Sequence, residues 1–342
     1  MSELDVQELL DRATLAADER WPGAVVTGLE PLHGGVSSLT FAAAVAESGH
    51  EPRRVVLKVA PPGLPPVRNR DVLRQARVLC ALERVPGVHV PEVFFQDAGA
   101  PPFFAMSFVE GDSYEPRLNQ LASPPPADVV DRRARGAARM LARLQSVEPA
   151  AVGLGDEPVM TLAEELERWE RLFATCPDEL RGDERDLYRL LAERIPEPLA
   201  PRVLHGDYRL GNMQFAGDRL AAIIDWEIWS IGDPRCDLAW LLTYVEPVQR
   251  FVEEMDEANL RAQAGMPSRE ELIAEYRAIR PEELEHLDWF LAYCYFKIAS
   301  TTAALSKQNR RRAEPDPAME VAASTLPAVV ARGLELAEGA RA

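Results

Sequence analysis

The sequence predicts an α+β chain in two lobes, a small β-rich lobe over residues 1–109 and a larger, mainly helical lobe over residues 110–342. Short β-branched and aromatic runs fill the front of the chain, and segments with helical apolar spacing fill the back. At 342 residues the chain is too long for one small core, and its 47% hydrophobic content suffices for a sizeable interior.

The N-terminus, MSELDVQELLDRA, is acidic and amphipathic, unlike a signal or transit peptide. GAVVTGLEPL (23–32) and SSLTFAAAVAE (37–47) read as strands flanking Gly34 and Gly35. Glycines at a hairpin tip let backbone N–H groups approach a phosphate, with Ser37 and Ser38 as hydroxyl donors, although Gly-Gly also serves ordinary turns. RRVVLKVA (53–60) is a third strand, apolar after its opening arginines except for Lys58. Residues 69–85 carry helical spacing at Val72, Leu73, Ala76, Leu79 and Leu82. VPEVFFQDAG (90–99) and PPFFAMSFVEG (101–111) read as an antiparallel pair.

Beyond residue 110, helical spacing appears near 126–147, 160–175, 182–195, 248–263, 268–279, 282–305 and 316–339. LASPPPAD (121–128) reads as a loop and SKQNRRRAEPDP (306–317) as a charged surface turn. RVLH (202–205) is a short buried strand, GDYRLGN a tight loop, and LAAIID (220–225) a second strand ending on an acid. LDWFLAYCYFKIA is interrupted by charge and reads as a core helix, not a membrane span. Cys80, Cys176, Cys236 and Cys294 form no CxxC pair, so neither zinc nor a disulfide framework is indicated and a reducing cytoplasm is expected. A net charge of −17 disfavours nucleic acid and anionic membrane as partners. It suits a cationic ligand near Glu253, Glu254, Asp256 and Glu257, or simply solubility.

The densest chemistry lies in LHGDYRLGNMQF (204–215) and AAIIDWEIWSIGDPRCDLAWLL (221–242). Asp207, Asn212 and Asp225 have the spacing of a phosphoryl-transfer site, in which an attacking hydroxyl needs a proton acceptor and a triphosphate needs Mg²⁺ on hard oxygen ligands. Asp207 is the expected acceptor, Asn212 and Asp225 the expected metal ligands.

HGDxxxxN followed by IIDWE and GDPxxDLA resembles the aminoglycoside phosphotransferase and choline-kinase-like superfamily. The DYRLGN and DWE forms are most similar to the branch also found fused to acyl-CoA dehydrogenases. The resemblance covers nearly the whole chain and implies a two-lobed protein-kinase-like fold using ATP, with GTP not excluded, and Mg²⁺. It places Lys58 at the α- and β-phosphates and Gln75 where a glutamate normally pairs with that lysine, with Asp71 as a substitute one turn earlier. It assigns the adenine contacts to Ser107 and Val109, beside Met106. Arg209 falls where a cation would face the transferred phosphoryl group, or would brace the loop.

Gly206 replaces the arginine through which many protein kinases sense activation-loop phosphorylation, and the stretch from Asp225 to Asp237 is short, so a constitutive small-molecule kinase is implied. Asp237 is expected to brace the catalytic loop and His205 to anchor it, with Glu227 and Asp233 in support. Trp226, Trp229 and Trp240 read as core rather than a cation cage, with a quaternary amine facing one of them as the alternative. Three hydroxyl acceptors compete: an aminoglycoside, a choline-type amine, or a hydroxyacyl-CoA met by arginines such as Arg132, Arg133, Arg135, Arg310, Arg311 or Arg312. A nucleotide-binding pseudokinase, invited by Gln75, is the reading of another class. The sequence leaves the oligomeric state open.

Overall fold

The computed structural model describes residues 4–32, 38–115, 124–245, 263–281 and 284–339. The chain divides into two compact units. The first comprises Met1–Ser113, Ala150–Gly155 and Asn212–Trp229, and the second Tyr114–Pro149, Asp156–Gly211 and Ser230–Ala342.

The first unit is built on a five-stranded sheet of β1 (Val25–Pro31), β2 (Leu39–Ala46), β3 (Arg53–Val59), β4 (Val93–Asp97) and β5 (Phe103–Ser107), in the order β1-β2-β3-β5-β4 with antiparallel neighbours. Helix α1 (Val6–Arg20) is capped by Asp5, whose carboxylate accepts from the N–H groups of Gln7 and Glu8. Its buried residues Leu9, Ala13 and Ala17 recur every four positions, so one stripe of the helix joins a core with Val26, Val45, Leu57 and Phe103. Strand β3 is central, which explains its apolar run; Lys58 lies opposite Thr40 of β2 and Phe104 of β5. Helix α2 (Val72–Leu82) packs against β4 and β5.

A hairpin of β7 (Met213–Ala216) and β8 (Arg219–Ile223) completes this unit. It is tied down where the Ile223 N–H donates to the His89 carbonyl and where Asp112 bridges Phe215.

In the second unit, β6 (Arg202–Leu204) pairs with β9 (Ser230–Gly232). The strands read at 202–205 and 220–225 therefore each have a partner of their own, in segments of three and four residues too short to show a β period. The helices are α3 (Ala127–Gln145), α4 (Leu162–Phe173), α5 (Glu184–Glu193), α6 (Arg235–Tyr244), α7 (Arg269–Arg277), α8 (Leu287–Asn309), α9 (Pro317–Ser324) and α10 (Leu326–Gly339). Capping boxes at Thr161/Glu164 and Ser268/Glu271 fix the starts of α4 and α7.

Helix α8 is apolar on all sides and packs against α4, α6 and α10. It runs to Asn309, four residues past the expected end at 305, and Asn309 then closes the following turn through paired bonds with the Asp316 backbone. The single helix expected over 316–339 is two, parted at Thr325, because Pro327 lacks the N–H that would continue the first ladder and instead suits the start of a second. The helix expected at 248–263 lies outside the described residues, apart from residue 263. All four cysteines are free thiols, and no helix among the described residues is long and apolar enough to cross a membrane.

Candidate active site

Within the first unit, Lys58 is buried on β3 and its ammonium donates to Asp225 Oδ1 at 2.8 Å. Asp225 lies two residues past β8 and holds a left-handed backbone, φ 66°, a conformation that Asp tolerates better than most residues and that turns it out of the strand's pleat. Asn212 stands just before β7, and its carbonyl accepts from the Ile224 N–H at 2.9 Å. The open end of one hairpin thus carries both residues expected as oxygen donors. Asn212 is buried, whereas the Asp225 side chain is 40% exposed.

In this structure neither Gln75 nor Asp71 pairs with Lys58. Gln75 is buried on α2 and donates to the Asn69 carbonyl at 3.2 Å, and Asp71 is the N-cap of α2, accepting from the Arg74 N–H. The lysine finds its counter-charge on Asp225 instead.

At the expected adenine edge, Met106 is buried in β5. The Ser107 N–H is already committed to the Glu92 carbonyl at 2.8 Å, and its hydroxyl accepts from the Glu92 N–H. Val109 has its main-chain groups unused among the described residues. Ser38 Oγ is buried and likewise bonds nothing among them. Gly34, Gly35 and Ser37 lie outside the described residues, as do Glu253, Glu254, Asp256 and Glu257.

Within the second unit, Asp207 sits on the loop after β6, its side chain 26% exposed. Trp240 Nε1–H donates to its Oδ1 at 2.7 Å, and Arg209 Nε lies 3.2 Å from Oδ2. The Asp207 N–H donates to His205 Nδ1, while Asp237, fully buried on the first turn of α6, accepts from the N–H groups of His205 and Gly206. Gly206 adopts φ 85°, so the glycine before Asp207 answers a backbone requirement that an arginine would meet only with strain.

Burial pushes the Asp207 carboxyl upward, but Arg209 first, then Lys297 and His205, with the Trp240 bond, hold it below the ordinary aspartate value. Asp237 goes the other way: burial outweighs its two backbone donors and nearby cations, and its carboxyl is raised. Arg209 also faces buried Glu115 at 3.8 Å, and Glu115 accepts from the Gly211 N–H. A Cβ on Gly211 would fall against both the Arg209 guanidinium and Glu115, so this glycine is a close-approach position.

Asp233 forms a buried ion pair with Arg235 at 2.7 Å and accepts from the Leu199 N–H, a structural closure of the β9–α6 corner. Trp226 and Trp229 are buried, as read; Trp240 is buried too but bonds Asp207 directly. Its spacing, three residues after Asp237 on one helix face, was the available signal. Glu115 and Lys297 were missed. Lys297 is a cation within the buried run 289–300 of α8, whose other lysine, Lys307, lies in the last turn, and a charge in such a run is uncommon unless it is paired.

Residues 28–272 match the phosphotransferase enzyme family, APH, across most of the chain. The chain belongs to this family. Among curated relatives, the probable acyl-CoA dehydrogenase IBR3 of Arabidopsis thaliana is 28% identical over 288 residues, covering 78% of this chain and 34% of the relative. The chain thus spans about a third of that relative's length.

Among solved structures, a Ralstonia eutropha protein provisionally assigned as an aminoglycoside phosphotransferase superposes with a TM-score of 0.76 at 22% identity, covering 98% of this chain and 99% of that one. Aminoglycoside phosphotransferase APH(4)-Ia, solved as a thermostable mutant in a ternary complex with ADP and hygromycin B, gives a TM-score of 0.57 at 15% identity over 97% of this chain and 98% of that one. The α+β, two-lobed kinase-like fold of this chain is the one its sequence motifs imply.

Proposed function

We propose that this phosphotransferase moves the γ-phosphoryl group of ATP, as its Mg²⁺ complex, to the hydroxyl of a cytoplasmic hydroxyacyl-CoA. In this reading residues 1–109 clamp the nucleotide and residues 110–342 carry the acceptor. The observation that supports it most is Asp207, kept ionised and aimed by contacts on both its side chain and its backbone.

The acceptor oxygen attacks the γ-phosphorus, the bond from that phosphorus to the β,γ-bridging oxygen breaks, ADP leaves, and the hydroxyl proton passes to Asp207 and then to solvent. A carboxylate with a depressed pKa is a weak base. In a loose phosphoryl-transfer transition state its main task is to orient the hydroxyl, and the proton leaves late. Arg209, beside it, supplies positive charge toward the equatorial oxygens.

The donor set fits a hard divalent ion. Asn212 and Asp225 offer oxygens from one hairpin end, two protein ligands being usual where Mg²⁺ keeps waters and phosphate oxygens for the rest. When bound, the ion neutralises charge on the phosphate oxygens. Lys58 leaves Asp225 for the α- and β-phosphates, Ser38 offers its unused buried hydroxyl beside Gly34, Gly35 and Ser37, and Val109 offers main-chain groups to adenine.

For the acceptor, the support is the acyl-CoA dehydrogenase relative, whose matching part is a third of its length. The arginines are a less ready support: Arg132 pairs with Asp128, Arg135 with Asp131, Glu271 and Glu275, and Arg310 with Glu320 and Glu179, whereas Arg311 and Arg312 pair with no acid among the described residues. ADP release measured with 3-hydroxybutyryl-CoA, choline and kanamycin in parallel tests the assignment. Saturable release with the thioester is expected; efficient phosphorylation of kanamycin with none of the thioester would transfer the assignment to aminoglycosides.

A further inference from the structure

We infer that Lys297 is a positioning residue of the phosphoryl-transfer site, whose ammonium fixes the Gly206 carbonyl and the Trp240 ring and through both holds Asp207 in place. The inference rests on the reading of Asp207 as the hydroxyl's acceptor.

Lys297 lies in the middle of α8, buried among Tyr293, Phe296, Ile298 and Ala299. An ammonium is rarely kept in such surroundings without a counter-charge or strong acceptors. Among the described residues no carboxylate lies within ion-pair distance of it; its nitrogen donates to the Gly206 carbonyl and lies 4.0 Å from the Trp240 ring centroid and 5.2 Å from that of Trp169. A carbonyl and two indole faces are its direct contacts, and the nearby Asp207 and Asp237 carboxylates add attraction beyond ion-pair distance.

Both contacts converge on Asp207. The peptide between Gly206 and Asp207 is planar, so fixing its two ends fixes its orientation. Lys297 takes its carbonyl, and His205 Nδ1 takes its N–H. The preceding N–H, of Gly206, is held by Asp237. On the side-chain side, the indole whose face rests on Lys297 presents its N–H to Asp207 Oδ1. A neutral side chain of similar length would fill the same space and leave the Gly206 carbonyl without its donor. The ammonium also contributes to holding the Asp207 carboxyl below its ordinary value.

The test uses the full chain with three substitutions, Lys297→Met, Lys297→Arg and Trp240→Phe. The Trp240 indole N–H resonance, one of six tryptophan signals and assigned by its loss in Trp240→Phe, reads the contact without any turnover. Slow hydrolysis of MgATP, with water as acceptor, reads the chemistry. Lys297→Met is expected to move the Trp240 resonance and to lower kcat about 10–100-fold with KM for MgATP unchanged, the signature of a misplaced group outside the nucleotide's own contacts. Lys297→Arg, which restores a cation to carbonyl and ring, should return the resonance and most of the lost kcat.

An unmoved resonance or an unchanged kcat in Lys297→Met overturns the inference. So does an arginine variant that folds but recovers neither, which is the deciding measurement should the methionine variant not fold. Failure of the underlying reading looks different: Asp207→Asn would then leave MgATP turnover intact, while the Trp240 resonance still reports on Lys297.

Discussion

The first unit holds Asp225, its candidate carboxylate ligand, through one ion pair among the described residues, and the second holds its candidate proton acceptor through several contacts. Asp225 has one ion pair, to Lys58, on a side chain 40% exposed to solvent, and both members are groups that a nucleotide and its metal would claim. Asp207 has Trp240 and Arg209 on its carboxylate and His205 on its N–H, and the backbone leading to it is clamped by Asp237 and Lys297. Where a ligand must displace an internal partner, a single exchangeable contact suffices. Where geometry at the reacting oxygen decides the rate, redundancy prevails.

The sharpest way to break this contrast is Asp207→Asn. The amide keeps an oxygen for Trp240 but cannot take the proton, so kcat should drop about 10²–10⁴-fold while MgATP affinity and folding persist. Turnover near that of the parent protein would remove Asp207 from the chemistry. Next in size is Asp225→Ala. It removes the one carboxylate of the donor pair and leaves Lys58 buried without its counter-charge, so Mg²⁺-dependent nucleotide binding should weaken at least about tenfold. Calorimetry showing unchanged MgATP affinity would count decisively against a metal role. Lys58→Met gives the internal control, since it weakens nucleotide binding with or without the metal.

Gln75 tests the first unit from another side. Its amide N–H faces the Asn69 carbonyl at 2% exposure, so Gln75→Glu should not tighten nucleotide binding. It sets a carboxylate against an acceptor in the interior and should destabilise the fold by about 1–3 kcal/mol, read as a lower urea midpoint. Tighter MgATP binding in that variant would mean that Gln75 reaches Lys58 in the nucleotide complex.

These contrasts bear on what the sequence made legible. The second unit's candidate loop was legible because its residues are local: His205, Gly206, Asp207 and Arg209 are near neighbours in the chain, and their backbone needs are written in the motif. Asp237 of α6 was legible through its GDPxxDLA motif, but Trp240 and Lys297 were not, because they lie 33 and 90 residues beyond Asp207 and each sits in a run that reads as core. In the first unit, helical spacing located α2 correctly, yet spacing carries no information about which polar side chain turns toward a lysine on another element. Gln75 turned to the backbone of its own helix entry, and Lys58 found Asp225, 167 positions away.

The smallest effect separates two aspartates that share one loop. Asp207 has a lowered carboxyl, so in the window below its ordinary value of 3.8 the unfolded chain binds more protons than the folded one. Its contribution to stability is therefore complete above that value and is lost as pH falls through the lower folded pKa. Asp237 has a raised carboxyl, so above 3.8 the folded chain holds the proton longer than the unfolded one, and stability from this group declines as pH rises through the raised folded pKa. Urea unfolding as a function of pH should show the two slopes with opposite signs. Asp207→Asn should flatten the rise below 3.8, and Asp237→Asn should flatten the decline above it, each relative to the parent protein. Parallel profiles in both variants would show that the clamp does not set these two protonation equilibria apart, and that the contrast between the fixed acceptor and its buried brace is geometric without being electrostatic.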